Sequence, residues 1–327
     1  MTEKADTYRQ LYLHCLSRLR AAGIEDPGTD AALLCRHFFS LDRPGLAVHG
    51  EEHCPEPARQ AFLQAVRERA GRRPLQYILG RWDFMGLTLQ VGEGVLVPRE
   101  DTAVLVEALA RQLAGRECLS GVDLCAGTGA VALGLCSLCP GLQMDCLELS
   151  PQAFSYLEKN LQAYPQYPVR AFQGDILSGE TAARFQGLDV IAANPPYVAK
   201  DILPSLQPEV QREPAMALDG GPDGLLFYRA IAKEWVPLLN QGGVLGVEIG
   251  EEQGEAVMEL FQASGLSRIV LHKDWAGLPR AVTALAVSFH KTCKTQDGPT
   301  FQHEKMWKTP GNGLNTRFFR GKPLAYR

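Results

Sequence analysis

With 327 residues, 46% of them hydrophobic and 21% charged, the chain has the make-up of a globular protein able to bury the cores of two domains. A net charge of −4 excludes a global electrostatic pull on nucleic acid and leaves only local basic patches. Nine cysteines spread through the expected helices and strands do not mark a small disulfide scaffold and read as reduced thiols of a cytosol-like compartment. Met1-Thr2-Glu3-Lys4-Ala5-Asp6 lacks an apolar core of signal-peptide length, and no run approaches the roughly 20 apolar residues of a membrane span. Neither export nor membrane insertion is expected.

Residues 1–72 read as a small helical bundle. Tyr8, Leu11, Tyr12, Cys15, Leu16 and Leu19 recur at helical spacing, and Gly23 ends that helix. After the turn at Asp26-Pro27-Gly28, Thr29 or Asp30 caps a second helix carrying Leu33, Leu34, His37 and Phe38. Pro55 and Pro57 open a third, with Phe62, Leu63 and Val66 inward. The bundle holds no cluster of catalytic residue types, which suggests partner recognition or a structural cap.

Residues 73–100 switch to a period of two. Leu87, Leu89 and Val91 alternate with polar neighbours, Gly92-Glu93-Gly94 follows, and Val95, Leu96 and Val97 come next, which reads as a hairpin linker. Asp101 or Thr102 then caps a helix reaching Leu113.

Over 101–290 strands and helices alternate: strands at 121–125, 142–148, 169–175, 188–193, 243–250, 268–273 and 283–290, helices at 130–138, 151–163, 227–239 and 251–264. Such alternation predicts a Rossmann-like α/β domain, a mostly parallel sheet covered by helices on both faces. Cys136 and Cys139 form a CxxC without a second pair or histidines beside it, and read as buried small hydrophobes rather than zinc ligands. The tail 291–327 is basic, with interleaved aromatics such as Phe301, Trp307 and Phe318. It reads as a solvated, disordered extension, with weak contact to nucleic acid as the alternative.

Three stretches carry chemistry. Val122-Asp123-Leu124-Cys125-Ala126-Gly127-Thr128-Gly129 is a strand running into Gly-x-Gly and a helix, a turn that lets backbone approach a ligand. About twenty residues on, Glu148 ends the next strand, where an acid can accept from both ribose hydroxyls. Asp175 ends the third strand, placed to meet an adenine amino group, with Ile176 against the ring. Together these point to a nucleoside cofactor, either nicotinamide adenine dinucleotide or S-adenosylmethionine. The third stretch is Leu188-Asp189-Val190-Ile191-Ala192-Ala193-Asn194-Pro195-Pro196-Tyr197. A strand buried on both faces stops where two prolines deny the ladder its N–H groups. Asn194, at the carboxyl end of that strand, can accept and donate to an amino group, and Tyr197 offers a flat stacking surface.

The set resembles the class I S-adenosylmethionine-dependent methyltransferases, and Asn-Pro-Pro-Tyr resembles the signature of those that methylate a planar conjugated nitrogen. Arg73-Pro74-Leu75-Gln76-Tyr77-Ile78-Leu79-Gly80, Phe84-Met85-Gly86-Leu87 and Val95-Leu96-Val97-Pro98-Arg99 are similar to the linker of the release-factor glutamine methyltransferases, the HemK or PrmC type. Glu213-Pro214, Ala217 to Leu225, Glu248-Ile249-Gly250 and Asp274-Trp275-Ala276-Gly277 with Arg280 match the same family, so the likeness spans roughly residues 5–290. Two departures stand out: Arg99-Glu100-Asp101-Thr102-Ala103 replaces Arg-Pro-Glu-Thr-Glu, and Cys125 replaces the first glycine of the loop. A Cβ at Cys125 predicts a backbone that does not need positive φ there.

The resemblance implies a seven-stranded sheet with the last strand antiparallel and an enzyme using S-adenosylmethionine held by Cys125, Ala126, Gly127, Thr128, Gly129, Glu148, Asp175, Ile176 and Asn194. It implies class I peptide-chain release factors as partners, methylated on the glutamine N5 of their Gly-Gly-Gln loop. Asn194, Pro195, Pro196 and Tyr197 bind and orient that amide, and no metal and no general base are called for. The alternatives are a ribosomal-protein glutamine, or an adenine N6 in nucleic acid, which would want a basic recognition region that the chain before its tail lacks.

Overall fold

Thr7 starts the first helix with a reciprocal cap: its Oγ1 accepts from the Gln10 N–H (3.3 Å) and the Gln10 side chain accepts from the Thr7 N–H (2.9 Å). In this computed structural model, which describes residues 6–286, that helix opens a bundle of α1 (Tyr8–Ala21), α2 (Pro27–Phe39), α3 (Arg43–His49) and α4 (Glu56–Ala70). Asp26, rather than Thr29 or Asp30, caps α2: its Oδ1 accepts from the Thr29 N–H at 3.0 Å, and Pro27 takes the first helical position. The sequence reading omits α3, although Asp42-Arg43-Pro44 repeats the same cap-and-proline start, with the Gly45 N–H donating to Asp42 at 2.8 Å. Leu11, Cys15, Leu19, Leu34, Phe62 and Val66 interlock in the bundle core, whereas His37 is exposed.

The linker begins with a short helix α5 (Leu75–Leu79), stopped by Gly80 at φ 71°. The hairpin lies earlier than the periodicity suggests: β1 (Arg81–Phe84) pairs antiparallel with β2 (Leu87–Gln90). Met85 at φ 49° and Gly86 at φ 81° supply the two left-handed residues that such a tight turn requires. Val95-Leu96-Val97 is not the second strand. Tyr77 Oη donates to the Val95 carbonyl (2.6 Å), and the Val97 N–H donates to the buried Glu213 carboxylate (2.9 Å). Side chains satisfy the polar groups a ladder would have used. The segment is thereby free to line a cavity instead.

From α6 (Thr102–Leu113) onward come β3 (Ser120–Leu124), α7 (Ala130–Leu138), β4 (Gln143–Glu148), α8 (Pro151–Ala163), β5 (Val169–Gln173), α9 (Gly179–Ala182) and β6 (Leu188–Ala193). They are followed by α10 (Leu226–Ala230), β7 (Leu239–Glu248), α11 (Gly254–Ala263), β8 (Leu266–Lys273) and β9 (Pro279–Ala286). The sheet order is β5-β4-β3-β6-β7-β9-β8, parallel except for β9, which runs antiparallel to both neighbours. The expected strand at 283–290 therefore begins earlier, at Pro279, and 287–290 lie outside the described residues. The expected helix at 227–239 is found over 226–238 in three kinds of turn: α10 widens into a π turn at Ile231–Trp235, where Trp235 Nε1 donates to the Ile176 carbonyl (2.9 Å), and a 3-10 turn at Val236–Leu238 ends it.

Alternation along the strands divides the core. On β6, Val190 and Ala192 face α6, α7 and α8, while Ile191 and Ala193 face α10 and α11. Cys136 is buried in the first layer, its Sγ 3.5 Å from the Leu142 carbonyl, and Cys139 packs against it. The eight cysteines among the described residues are free thiols. Among those residues no helix is long and apolar enough to cross a membrane. The basic stretch 291–327 lies outside them.

Candidate active site

The chain leaves β3 toward β4 and β5 on one side of the sheet, and β6 and β7 continue on the other. β3 and β6 are therefore neighbours whose following loops diverge, a topological switch point where open α/β sheets hold ligands. Register places Leu124 opposite Ala193, so the glycine loop and Asn194 emerge from adjacent strand ends.

The loop after β3 is tighter than the sequence suggests. Cys125 stands at φ 59°, contrary to the expectation that its Cβ requires another conformation. A left-handed non-glycine residue costs on the order of 1 kcal/mol, which the surrounding bonds must offset. Burial pushes the Cys125 thiol well up and Glu148 adds to the shift, so it is a neutral side chain and no nucleophile. Gly127 (φ 55°) donates its N–H to Glu148 Oε2 at 2.8 Å, and Ser150 donates to Oε1 at 2.8 Å. Gly129 (φ 82°) lies so near α8 that a Cβ would stand 2.8 Å from Leu157. Asn160, fully buried on α8 and absent from the sequence reading, ties this loop to the linker. Its Nδ2 donates to the carbonyls of Thr128 (3.0 Å) and Gln90 (3.1 Å), and its Oδ1 accepts from the Gln90 N–H (2.7 Å).

Cys125, Ala126, Gly127, Thr128, Glu148, Asp175 and Ile176 line one cavity, roofed by Gly94, Val95 and Leu96 of the linker. Of the expected loop residues Gly129 does not line it. Burial raises the Glu148 pKa, and the N–H groups of Ser150 and Gly127 hold it back in part. With one N–H on each oxygen, the carboxylate keeps lone pairs for further donors. Asp175 is half-buried and caps its own turn through the Leu177 N–H at 2.9 Å.

Asn194 lines this cavity and also a second one, which includes Arg99, Tyr197, Val210, Leu218 and Glu248. Leu96 and Ala217 are the other residues shared by both. Asn194 Nδ2 donates to Thr102 Oγ1 at 3.3 Å, and among the described residues Oδ1 has no hydrogen-bond partner. Pro196 lines the first cavity, Tyr197 lines the second, and the buried Pro195 lines neither. Tyr197 Oη approaches Glu248 Oε1 at 3.5 Å, while its carbonyl accepts from Gln253 Nε2 at 2.9 Å. Burial keeps this phenol protonated, Glu248 reinforcing the upward shift.

Two glycines let the 217–225 loop close on Tyr197: a Cβ at Gly220 would lie 2.8 Å from its Cα, and one at Gly224 would lie 2.5 Å from its carbonyl oxygen. Glu213, 5% exposed, accepts from the Val97 N–H and pairs with Arg99, so the loop after Tyr197 is bolted to the linker. Sequence reasoning assigned no role to Glu213 or Glu248. The available signal was an acid inside an apolar run, as in Val247-Glu248-Ile249.

Residues 10–80 match the family model of the PrmC N-terminal domain, and residues 99–213 match that of the methyltransferase small domain. A release factor glutamine methyltransferase of Moorella thermoacetica is 38% identical over 281 residues, covering 85% of this chain and 98% of that protein. The chain belongs to the release factor glutamine methyltransferase family. Another member, from Geobacter sulfurreducens, is 36% identical over 285 residues, covering 86% of this chain and 98% of its own length. As a member, the chain is an enzyme of the S-adenosylmethionine-dependent methyltransferase class. The catalytic domain of hMettl16, solved with an RNA hairpin, shares the fold, with a TM-score of 0.50 at 13% identity over 71% of this chain and 84% of that one.

Proposed function

We propose that this methyltransferase moves a methyl group from S-adenosylmethionine to the side-chain N5 of the glutamine in the Gly-Gly-Gln loop of class I peptide-chain release factors, in the cytoplasm. One observation carries the reading: Asn194 is shared by two cavities, one with the traits of a nucleoside site and one open to an acceptor.

A nucleoside cofactor fits the first cavity. A Cβ at Gly127 would meet nothing nearer than 3.9 Å, so the loop leaves room where a side chain would intrude. Glu148 has acceptor capacity for ribose hydroxyls, Asp175 is available to an adenine amino group, and buried Ile176 offers an apolar wall. Bound there, S-adenosylmethionine supplies an electrophilic methyl on a sulfonium.

A carboxamide nitrogen is a poor nucleophile because its lone pair is delocalised into the carbonyl. Asn194 Oδ1 and the Pro195 carbonyl each accept one hydrogen of the substrate amide, turning its lone pair out of conjugation and toward the donor. Neither oxygen is engaged by the described residues, which leaves both free for this task. Tyr197 packs its ring against the amide plane. The methylated nitrogen is strongly acidic and releases its proton to water, so positioning and electrostatic preorganisation suffice.

The bundle at 1–72 and the linker at 73–100 are proposed to grip the release factor, the domain at 101–290 performing the transfer. Arg69 and Arg72 of the bundle hold Glu209 at 2.8 and 3.0 Å, beside Val210 of the second cavity, which links the two parts. Incubation of release factor with labelled S-adenosylmethionine, followed by peptide mass spectrometry, should find one methyl on that glutamine. Label confined to nucleic acid or to a ribosomal protein would overturn the reading.

A further inference from the structure

Glu248 ends β7 beneath the second cavity, 3% exposed, and the transfer chemistry above makes no use of it. Its Oε1 faces Tyr197 Oη at 3.5 Å, while Oε2, cut off from solvent, has no hydrogen-bond partner among the described residues. Thr102, at the start of α6, forms no hydrogen bond of ordinary length with either oxygen, although its hydroxyl lies close enough to favour the charged carboxylate; its Oγ1 receives Asn194 Nδ2 at 3.3 Å. We propose that Glu248 is a positioning residue of the methyl transfer, setting the orientation of the Asn194 amide through the Thr102 hydroxyl and holding the Tyr197 ring by its Oη. The proposal rests on the reading of Asn194 as the amide clamp.

The logic is one of donors and acceptors. A carboxylate only accepts, so in the proposed arrangement a small shift lets the Thr102 hydroxyl donate to the unpartnered Oε2. Thr102 Oγ1 then has only lone pairs left for Asn194, which must present Nδ2. Oδ1 is thereby kept for the substrate. Protonating Glu248 reverses the chain: the carboxyl donates to Thr102, the hydroxyl hydrogen turns to Asn194, and Oδ1 is drawn away from the amide hydrogens it should accept.

The environment makes that reversal accessible. Burial pushes the Glu248 pKa up to about 7, and Asp101 adds to the shift; Thr102, Arg280 and Tyr197 oppose it. Arg280 on β9 is itself shared between Asp274 (2.8 Å) and Asp101 (3.3 Å), so its help is divided. From α10, Tyr228 Oη donates to the Glu248 main-chain carbonyl at 2.8 Å rather than to the carboxylate. Lowering the pH through about 7 should therefore switch the clamp off.

The test measures kcat and both KM values against pH for wild type, Glu248→Gln, Thr102→Val and Thr102→Ser. Wild-type kcat should rise through about pH 7. Glu248→Gln has one acceptor oxygen where Glu248 has two, so it should lose about tenfold in kcat, one hydrogen-bonded contact, keep KM for S-adenosylmethionine within about twofold, and show no acid limb. Thr102→Val should lose kcat similarly and Thr102→Ser should restore it. Carbon NMR of labelled glutamate, independent of turnover, should find one carboxyl titrating near 7 that Glu248→Gln removes.

Unchanged kcat and acid limb in Glu248→Gln, or an unaffected Thr102→Val, would overturn the proposal. So would a loss shared equally with S-adenosylmethionine affinity, the mark of a merely structural role. Should Glu248→Gln fail to fold, the Thr102 pair decides. Absence of methyl on the release-factor glutamine would instead overturn the proposed function, and the same variants assayed on whatever acceptor wild type uses still decide the role of Glu248.

Discussion

The two cavities that meet at Asn194 are built by opposite means. The first is made by neighbours in sequence: Gly127 donates to Glu148, Ser150 donates to the same carboxylate, and Asp175 caps its own turn. The second is assembled from afar, with Asn194 held by Thr102, Tyr197 by Glu248 and Gln253, and the linker by Glu213. The first cavity takes its roof from the linker but its floor from local βα units, whereas the second is assembled mainly from side chains distant in sequence. Under the proposed function, the first would hold the cofactor and the second would meet the acceptor.

Perturbations should separate the two. Asn194→Ala should abolish methyl transfer while S-adenosylmethionine binding, followed by calorimetry, stays within about tenfold, the worth of one hydrogen bond. Equal loss of both would mean that Asn194 mainly builds the cofactor pocket. Gly224→Ala, whose Cβ would meet the Tyr197 carbonyl and Gln253 Nε2 at 2.5 Å, should displace Tyr197. Its kcat should fall by about a hundredfold, the penalty for a clamp misplaced by an ångström. On the other side, Glu148→Ala should weaken S-adenosylmethionine binding by roughly ten- to a hundredfold, as expected for charged hydrogen bonds, with kcat at saturating cofactor changed far less.

The smallest effect concerns stability. Asp123 is buried on β3, and desolvation lifts its pKa from 3.8 to about 8 despite the Ala132 N–H it accepts at 3.1 Å. The folded state therefore holds a proton that the unfolded chain releases near pH 3.8, so stability declines as pH rises through the window up to about 8. Asp123→Asn, which still offers an oxygen to Ala132, should flatten that decline in denaturant titrations across pH and leave the acceptor cavity untouched. A slope unchanged by the substitution would place the pH dependence elsewhere.

Legibility followed the same division. The α7 and α8 spans could be read in full because Gly129 precedes one and Ser150-Pro151 opens the other, signals carried by adjacent residues. The hairpin departs from its expected register because Val95, Leu96 and Val97 are strand-forming residues, yet the Val95 carbonyl and the Val97 N–H are taken by Tyr77 and the distant Glu213. Cys125 departs from expectation for a related reason: a side chain argues against positive φ, yet the chain adopts it there, and the next N–H, of Ala126, donates to the Leu147 carbonyl of β4 at 3.0 Å.

By itself the sequence determined the parallel α/β architecture, the glycine loop with Glu148 and Asp175, and Asn194 at a strand end, because each depends on period, spacing or a residue's own backbone. Only the tertiary structure decided that Asn194 joins two cavities, and that Thr102, Glu213 and Glu248 stand behind it. Those partners lie 92 residues from Asn194, 116 residues from Val97 and 51 residues from Tyr197, separations at which no local rule relates one side chain to another. Folding buries the carboxylates of Glu213 and Glu248, and which donors stand near a buried carboxylate depends on what the topology brings there.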